Sequence, residues 1–187
     1  MALKKESTPL TEASPEEGAR RVAIAFVDEA REAAARLLIG ADAEALHDLR
    51  VALRRLRSVM RFFERELEES VKKKARRRLR AIAQATGEGR DAEVQLAWIE
   101  AQLSRNDWTE RAGARWRASS LRATKDRAYE KLERDLVPEL TMLLPALKES
   151  LGRFREERSL LGDVPRPSFG QHVATHLTRE SLELAQA

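Results

Sequence analysis

The feature that most constrains the fold is an apolar stripe with helical spacing in the first half of the chain. Its members recur every three or four positions and are Leu46, Leu49, Leu53, Leu56, Met60, Phe63 and Leu67. At about 100° per residue they fall on one face of a helix, which must pack against another element. Ala, Leu, Arg and Glu are abundant, Gly (8) and Pro (6) are few, and runs of β-branched residues are missing. The sequence therefore predicts an all-α protein built as an antiparallel helical bundle.

Capping residues and helix breakers divide the chain into seven predicted helices. We expect them over about residues 15–39, 43–68, 71–87, 88–104, 110–136, 138–158 and 169–187. The residues that can cap their N-termini are Ser14, Asp42, Ser70, Thr109 and Ser168. Pro145 should kink or break the sixth helix.

The same signals suggest three regions. Residues 1–13 are expected to form a flexible tail, residues 14–160 a helical bundle, and residues 161–187 a loop followed by one helix. The spacing of small, apolar and charged residues in this last helix is similar to that of the first helix, so we interpret it as the start of a second repeat.

The positive charge of the chain is concentrated in one segment. From His47 to Arg90 there are 14 Lys or Arg residues and 6 Asp or Glu residues, a net charge of +8 in a chain whose total is +4. Such a local excess is typical of a site for an anionic ligand. Cysteine is absent, which excludes disulfides, thiol catalysis and cysteine-based zinc sites. No stretch approaches the roughly 18 apolar residues of a membrane span, so we expect a cytoplasmic protein without a membrane partner.

Arginine side chains form a second row on the predicted second helix. The side chains within one arc of about 80°, beside the apolar stripe, are His47, Arg50, Arg54, Arg57, Arg61 and Arg65. Arg55 stands apart from both arcs. The row extends about 27 Å along the helix, and its like charges repel one another at some cost in stability. Because the arc contains no acidic residue, it predicts a groove that a linear polyanion would occupy.

The third predicted helix carries another basic face, formed by Lys73, Arg76, Arg77 and Arg80 at i, i+3, i+4 and i+7 spacing. If the second and third helices are antiparallel neighbours, their basic rows bracket one channel. Arginine suits phosphate because its planar guanidinium makes bidentate, charge-assisted hydrogen bonds and keeps its charge.

Two motifs resemble signatures of the CHAD domain (conserved histidine α-helical domain). The first is His47-Asp48-Leu49-Arg50-Val51 followed by Arg54-Arg55-Leu56-Arg57, and the second is Gly87-Glu88-Gly89-Arg90-Asp91-Ala92-Glu93-Val94. The resemblance covers about residues 15–187. It implies two pseudo-symmetric four-helix bundles around a basic channel that binds inorganic polyphosphate. Together with the basic face of the third helix, the candidate binding residues are His47, Arg50, Arg54, Arg55, Arg57, Arg61, Lys73, Arg76, Arg77, Arg80 and Arg90.

The chain departs from the family pattern in its second half. The family has a second His-x-x-Arg motif with a following basic run, and here nothing follows Ala187. We therefore expect half to two-thirds of the two-bundle fold, as a natural half-domain, a truncated form or a proteolytic fragment. The expected consequence is weaker binding than a full domain gives, or a homodimer that rebuilds the channel. The resemblance also implies association with polyphosphate granules or with a triphosphatase-type protein.

Two other functions stay open from the residues alone. The basic segment permits nucleic-acid binding, although aromatic residues are only 5% of the chain and no short helix-turn-helix is evident. A structural bundle that pairs with an acidic protein partner is the third possibility.

The histidines give no sign of catalysis or of a cofactor. His47 has no Ser or Cys nucleophile beside it, so we interpret it as an anion ligand that binds best at mildly acidic pH. His172 and His176 have i, i+4 spacing, which can bind a metal, but the sequence does not reveal a third ligand. We therefore expect no catalytic residues, no metal and no cofactor.

Overall fold

The computed structural model describes residues 8–39, 44–104, 111–153 and 166–185. Within these ranges the chain forms seven α-helices and no strand, which confirms the predicted all-α bundle. They are α1 (Pro15–Ile39), α2 (Ala45–Phe62), α3 (Lys73–Ala85), α4 (Gly87–Leu103), α5 (Arg111–Lys131), α6 (Val137–Gly152) and α7 (Phe169–Ala185). A short 3₁₀ helix, Leu10–Glu12, precedes α1.

Two of the predicted N-terminal caps are present in the structure. The backbone N–H of Glu17 donates to Ser14 Oγ at 3.2 Å. At the start of α7, Gln171 N donates to Ser168 Oγ at 3.4 Å while Ser168 N donates to Gln171 Oε1 at 3.0 Å, a reciprocal capping box. The predicted caps at residues 42 and 109 and most of the predicted loop at 161–167 lie outside the described residues.

The boundary between α2 and α3 differs from the prediction. Helix α2 ends at Phe62 rather than near residue 68, and residues 63–70 continue as turns. Phe63 and Leu67 of this stretch, and Val71 directly after it, remain buried, so the apolar spacing continues after the helix has ended. The predicted cap at Ser70 is wrong because α3 begins only at Lys73.

Helices α5 and α6 are joined without a loop. A π-helical turn, Leu132–Leu136, connects them, and the Val137 N–H donates to the Leu132 carbonyl. Pro138, predicted to start a separate helix, instead follows this turn directly. A wide turn suits that position because a proline ring clashes with the carbonyl four residues earlier in a regular helix. Helix α6 then runs on through Pro145, which was predicted to kink or break it.

The main core lies between α1, α2, α3 and α6. Helix α2 contributes Leu46, Leu49, Leu53 and Leu56, each at most 2% exposed. Small side chains of α1, such as Ala19 and Ala23, are fully buried and let the two helices approach closely. Since burial of one leucine side chain contributes about 1.5–3 kcal/mol, this face is what holds α2, and its arginines, in a fixed orientation.

Helices α4 and α5 pack on each other around a smaller core. Its buried members are Ala92, Leu96, Ile99, Ala114, Ala118 and Leu121. The pair meets the main bundle at the start of α4, where Gly89 is buried. A Cβ atom at Gly89 would lie 3.1 Å from the Cβ of Ala128 and 3.8 Å from a methyl of Leu46. The glycine therefore brings the first turn of α4 close to both α2 and α5.

The last helix is fixed to the bundle at its first residue. The Phe169 N–H donates to the Ala13 carbonyl at 2.8 Å, and the Phe169 ring lies against Gly18 of α1. Residues 8–13, predicted to be part of a flexible tail, are thereby paired with α7, and Ala13 is buried.

Candidate anion-binding groove

The arginine row of α2 faces α3 and the beginning of α4, and two adjoining cavities lie between them. One, of about 480 Å³, is lined mainly by α2 and α4. The other, of about 370 Å³, is lined by α2, α3 and the turn after α2. Arg54 and Arg57 line both cavities, which makes them one groove.

We call this surface the arginine groove. Its cationic or potentially cationic lining residues are His47, Arg50, Arg54, Arg57, Arg61, Arg76, Arg80 and Arg90. Eight of the candidate residues named from the sequence are thus brought together by the fold.

Arg50 is held by the end of α3. Its Nη1 donates to the carbonyls of Thr86 at 2.9 Å and Gly87 at 2.7 Å. Its Nη2 lies 3.6 Å from the Asp91 carboxylate. A cation at a helix C-terminus is favourable because the last carbonyls have no partner within the helix. Arg50 therefore connects α2, α3 and α4 and shapes the groove from within.

Arg76 performs a similar role at the end of α2. Its Nη1 donates to the Met60 carbonyl, its Nε to the Val71 carbonyl at 3.3 Å, and its Nη2 to the Glu64 carbonyl at 3.3 Å. The side chain is only 18% exposed and also lies 3.7 Å from the Glu64 carboxylate. Most of its donors are therefore engaged by the protein itself.

Arg90 is paired on its own helix. Its Nη1 lies 2.6 Å from Glu93 Oε2, and the Tyr129 hydroxyl donates to Glu93 Oε1 at 3.4 Å. The hydrogen bond to Glu93 is the main reason why the pKa of Arg90 is raised above its ordinary value, against the opposing effect of burial. Burial, followed by the charge of Glu93, raises the pKa of Tyr129 to about 12. At neutral pH the arginine is therefore charged and the tyrosine neutral.

Four arginines of the groove have no protein partner among the described residues. Within the described part of the chain, no hydrogen bond or ion pair engages the guanidinium groups of Arg54, Arg57, Arg61 and Arg80. Arg54, Arg61 and Arg80 are exposed, and Arg57 is partly buried. These four groups line the groove with their donors available to a ligand.

Three residues of the predicted set lie elsewhere. Arg55 is on another face of α2, where it lies 3.6 Å from the Glu29 carboxylate and 5.9 Å from the centre of the Phe26 ring. Its different direction follows from its place on the helix, outside the arginine arc. Lys73 and Arg77 are exposed residues of α3 that do not line the groove.

Two carboxylates also line the groove, and neither was among the predicted binding residues. Glu64, in the turn after α2, and Asp91, at the start of α4, are both among its lining residues. Each lies near an arginine that already donates to backbone carbonyls, Arg76 and Arg50 respectively. The negative charge therefore lies beside Arg50 and Arg76, which we call the anchored arginines because they donate to backbone carbonyls. The positive charge of the four unpartnered arginines is left available to a ligand.

Fold and site together define an all-helical bundle protein with a localised, arginine-lined cleft. The family model of the CHAD domain matches residues 21–187, nearly the whole chain. The chain therefore belongs to the CHAD domain family. Comparisons with curated proteins and with solved structures gave no match. Among the described residues, no helix combines the length and apolar character that a bilayer crossing requires.

Proposed function

We propose that the arginine groove binds inorganic polyphosphate and that the protein acts by binding rather than by catalysis. The observation that carries the proposal is the row of unpartnered guanidinium groups along one cleft, supplied by Arg54, Arg57, Arg61 and Arg80. Such groups repel one another, and a chain of negative charges laid between them relieves the repulsion.

The spacing of the groups favours a linear ligand. Arg54, Arg57 and Arg61 stand on successive turns of α2, about 5 Å apart along the axis. Arg80 faces them from α3, across the same cavity. A ligand that fits must carry regularly repeated anionic oxygens and must follow the helix axis. A polyphosphate chain has both properties, and membership of the CHAD family supports this choice because the family is associated with polyphosphate.

The groove offers little for reading a nucleic acid base. Among the described residues that line it there is no Phe, Tyr or Trp. Stacking on aromatic side chains supplies much of the affinity for single strands, so the groove is better suited to phosphate groups alone.

The test compares two variants that remove the same charge. In the groove variant, alanine replaces Arg54, Arg57, Arg61 and Arg80. In the control variant, alanine replaces four exposed arginines outside the groove, Arg31, Arg115, Arg127 and Arg134. A hydrogen bond to a charged group contributes about 1.5–3 kcal/mol, so the groove variant should lose retention on immobilised polyphosphate while the control variant keeps it.

Equal loss by both variants would show that net charge, rather than the groove, attracts polyphosphate. A competition assay separates the nucleic-acid alternative. Duplex DNA at equal phosphate concentration should leave the wild-type protein on polyphosphate, and displacement by the duplex would favour the nucleic-acid function. Circular dichroism of both variants verifies that the helices are intact.

A further inference from the structure

Three potential metal ligands meet at the interface between α7 and the turn that follows α2. Glu66 comes from the turn, and His172 and His176 come from successive turns of α7. One ligand atom from each of the three side chains lies within 4.8 Å of the others. The sequence shows the i, i+4 histidine pair but gives no means of finding the carboxylate, because 106 positions separate Glu66 from His172.

The cluster is held in place by the docking of α7. The capping box at Ser168 and the packing of Phe169 on Gly18 fix the beginning of the helix. The histidine rings then project toward the end of α2, with their centres 4.6 Å apart. The cluster lies outside the arginine groove, since none of its residues lines that surface.

Aromatic rings enclose the two histidines. The Phe62 ring lies 5.1 Å from that of His176, and the Phe63 ring lies 6.3 Å from that of His172. The cluster is partly buried, and the side chains of His172 and Glu66 are 19% and 12% exposed. A carboxylate in such surroundings needs a compensating positive charge.

The contact between His172 and Glu66 does not supply an ordinary hydrogen bond. His172 Nε2 lies 2.9 Å from Glu66 Oε1, within the range of an ion pair. The same nitrogen is buried and has no partner in hydrogen-bonding direction. The two observations agree if His172 Nε2 and Glu66 Oε1 are close but poorly aligned, because a hydrogen bond needs good alignment as well as a short distance. An imidazole nitrogen and a carboxylate oxygen that approach in this way are suited to share a cation.

We propose that Glu66, His172 and His176 form a binding site for a divalent transition metal, with Zn²⁺ as the preferred ion. Two imidazole nitrogens and one carboxylate oxygen are a ligand set that zinc favours, and water completes a four-coordinate site. Ligand bonds of about 2.0–2.2 Å place neighbouring donors about 3.4 Å apart in a tetrahedron. The His172 Nε2–Glu66 Oε1 distance of 2.9 Å is shorter than this, and the three ligand atoms lie within 4.8 Å of one another, so metal binding requires small side-chain rotations.

Arg179 is the group that competes with the metal. Its Nη2 lies 2.9 Å from His176 Nδ1. An arginine can only donate, so this contact uses the lone pair of Nδ1 and places the imidazole proton on Nε2. A metal bound to Nδ1 would take the lone pair that Arg179 uses. A metal bound to Nε2 would shift the imidazole proton to Nδ1, which could then no longer accept from Arg179. In both cases Arg179 has to move to solvent. Bound metal would connect α7 directly to the turn after α2.

The experiment titrates the full chain, first freed of metal with a chelator, with ZnCl₂ in an isothermal calorimeter and without polyphosphate. Wild-type protein should bind one Zn²⁺ per chain. His176→Gln and Glu66→Gln keep the side-chain size but remove a ligand, and each should weaken Zn²⁺ binding at least about tenfold. His47→Gln is the matched control, because it removes a histidine outside the cluster and should leave the affinity unchanged.

A second measurement uses Co²⁺ in place of Zn²⁺, since bound Co²⁺ absorbs visible light with an intensity that reports its coordination. A tetrahedral spectrum in wild type that is lost in His176→Gln supports the site. The proposal is overturned if wild type takes up no Zn²⁺, or if the two cluster variants bind it as tightly as His47→Gln does. Thermal unfolding with and without chelator gives an independent readout, because only a chain with the intact cluster should gain stability from Zn²⁺.

Discussion

The salt dependence of polyphosphate binding can distinguish the unpartnered arginines of the groove from the anchored ones. A linear polyanion releases condensed counterions when cationic groups bind it, so the logarithm of the affinity falls linearly with the logarithm of the salt concentration. The slope reports how many cations take part. Seven arginines line the groove, but Arg50, Arg76 and Arg90 already donate to protein groups.

The structure gives the expected size of the effect. A flexible strand gives a slope of about −0.7 per neutralised charge. If only the four unpartnered arginines bind phosphate groups, the slope is about −3, and the affinity for polyphosphate drops about 50-fold between about 50 and 200 mM salt. If all seven arginines bind phosphate groups, the slope is about −5, and the affinity drops about 900-fold over the same range of salt.

The assay is a calorimetric titration with sodium polyphosphate of one chain length at several salt concentrations and at one fixed pH. Arg80→Ala should reduce the slope by about 0.7, whereas Arg77→Ala, an exposed residue of the same helix that does not line the groove, should leave it unchanged. A slope near −5, or equal slopes for the two variants, would refute the division into anchored and unpartnered arginines.

Three further predictions concern stability. Arg76→Ala leaves three backbone carbonyls without their donor and should lower the free energy of unfolding by about 2–3 kcal/mol, measured by urea denaturation. Gly18→Ala places a Cβ 2.8 Å from the Cβ of Phe169 and should lower the free energy of unfolding by about 1–3 kcal/mol. Amide hydrogen exchange in α7 should become faster, and unchanged exchange there would contradict the contact between Phe169 and Gly18. The pKa of Tyr129 is raised to about 12, so the folded state retains a proton that the unfolded chain releases above about pH 10. The free energy of unfolding of the wild type should therefore fall as the pH rises from about 10 to about 12. In Tyr129→Phe it should fall less steeply over the same range.

Much of the helical architecture can be predicted because its signals are local. Ser14 with Pro15 and Ser168 with Gln171 mark helix starts by side chains that act within one turn. The end of α2 is not marked in this way. Phe63 and Leu67 keep the apolar spacing after the helix has ended, since buried turns and helices can present the same spacing to a core.

The junction of α5 and α6 is also beyond local rules. Pro138 normally indicates a helix start, and here a π-helical turn accommodates it inside a nearly continuous helical segment. That outcome depends on the burial of Leu132 and Val137 in the main core, which is a property of the whole fold.

For the groove, the helical arc was more informative than the motif. The arc separated Arg55 from Arg54 and Arg57, and in the structure Arg55 does lie on another face, near Glu29. The sequence could not separate the arginines that bind backbone carbonyls from those without partners, because that depends on where α2 and α3 end. Nor could it show that Glu64 lies beside Arg76.

The most direct test of the central claim is a crystal structure of the full chain soaked with a short polyphosphate. We expect density for a phosphate chain along α2, with oxygens within hydrogen-bond distance of Arg54, Arg57, Arg61 and Arg80. Density confined to other surfaces, such as the exposed arginines of α5, with the groove free of phosphate, would contradict it.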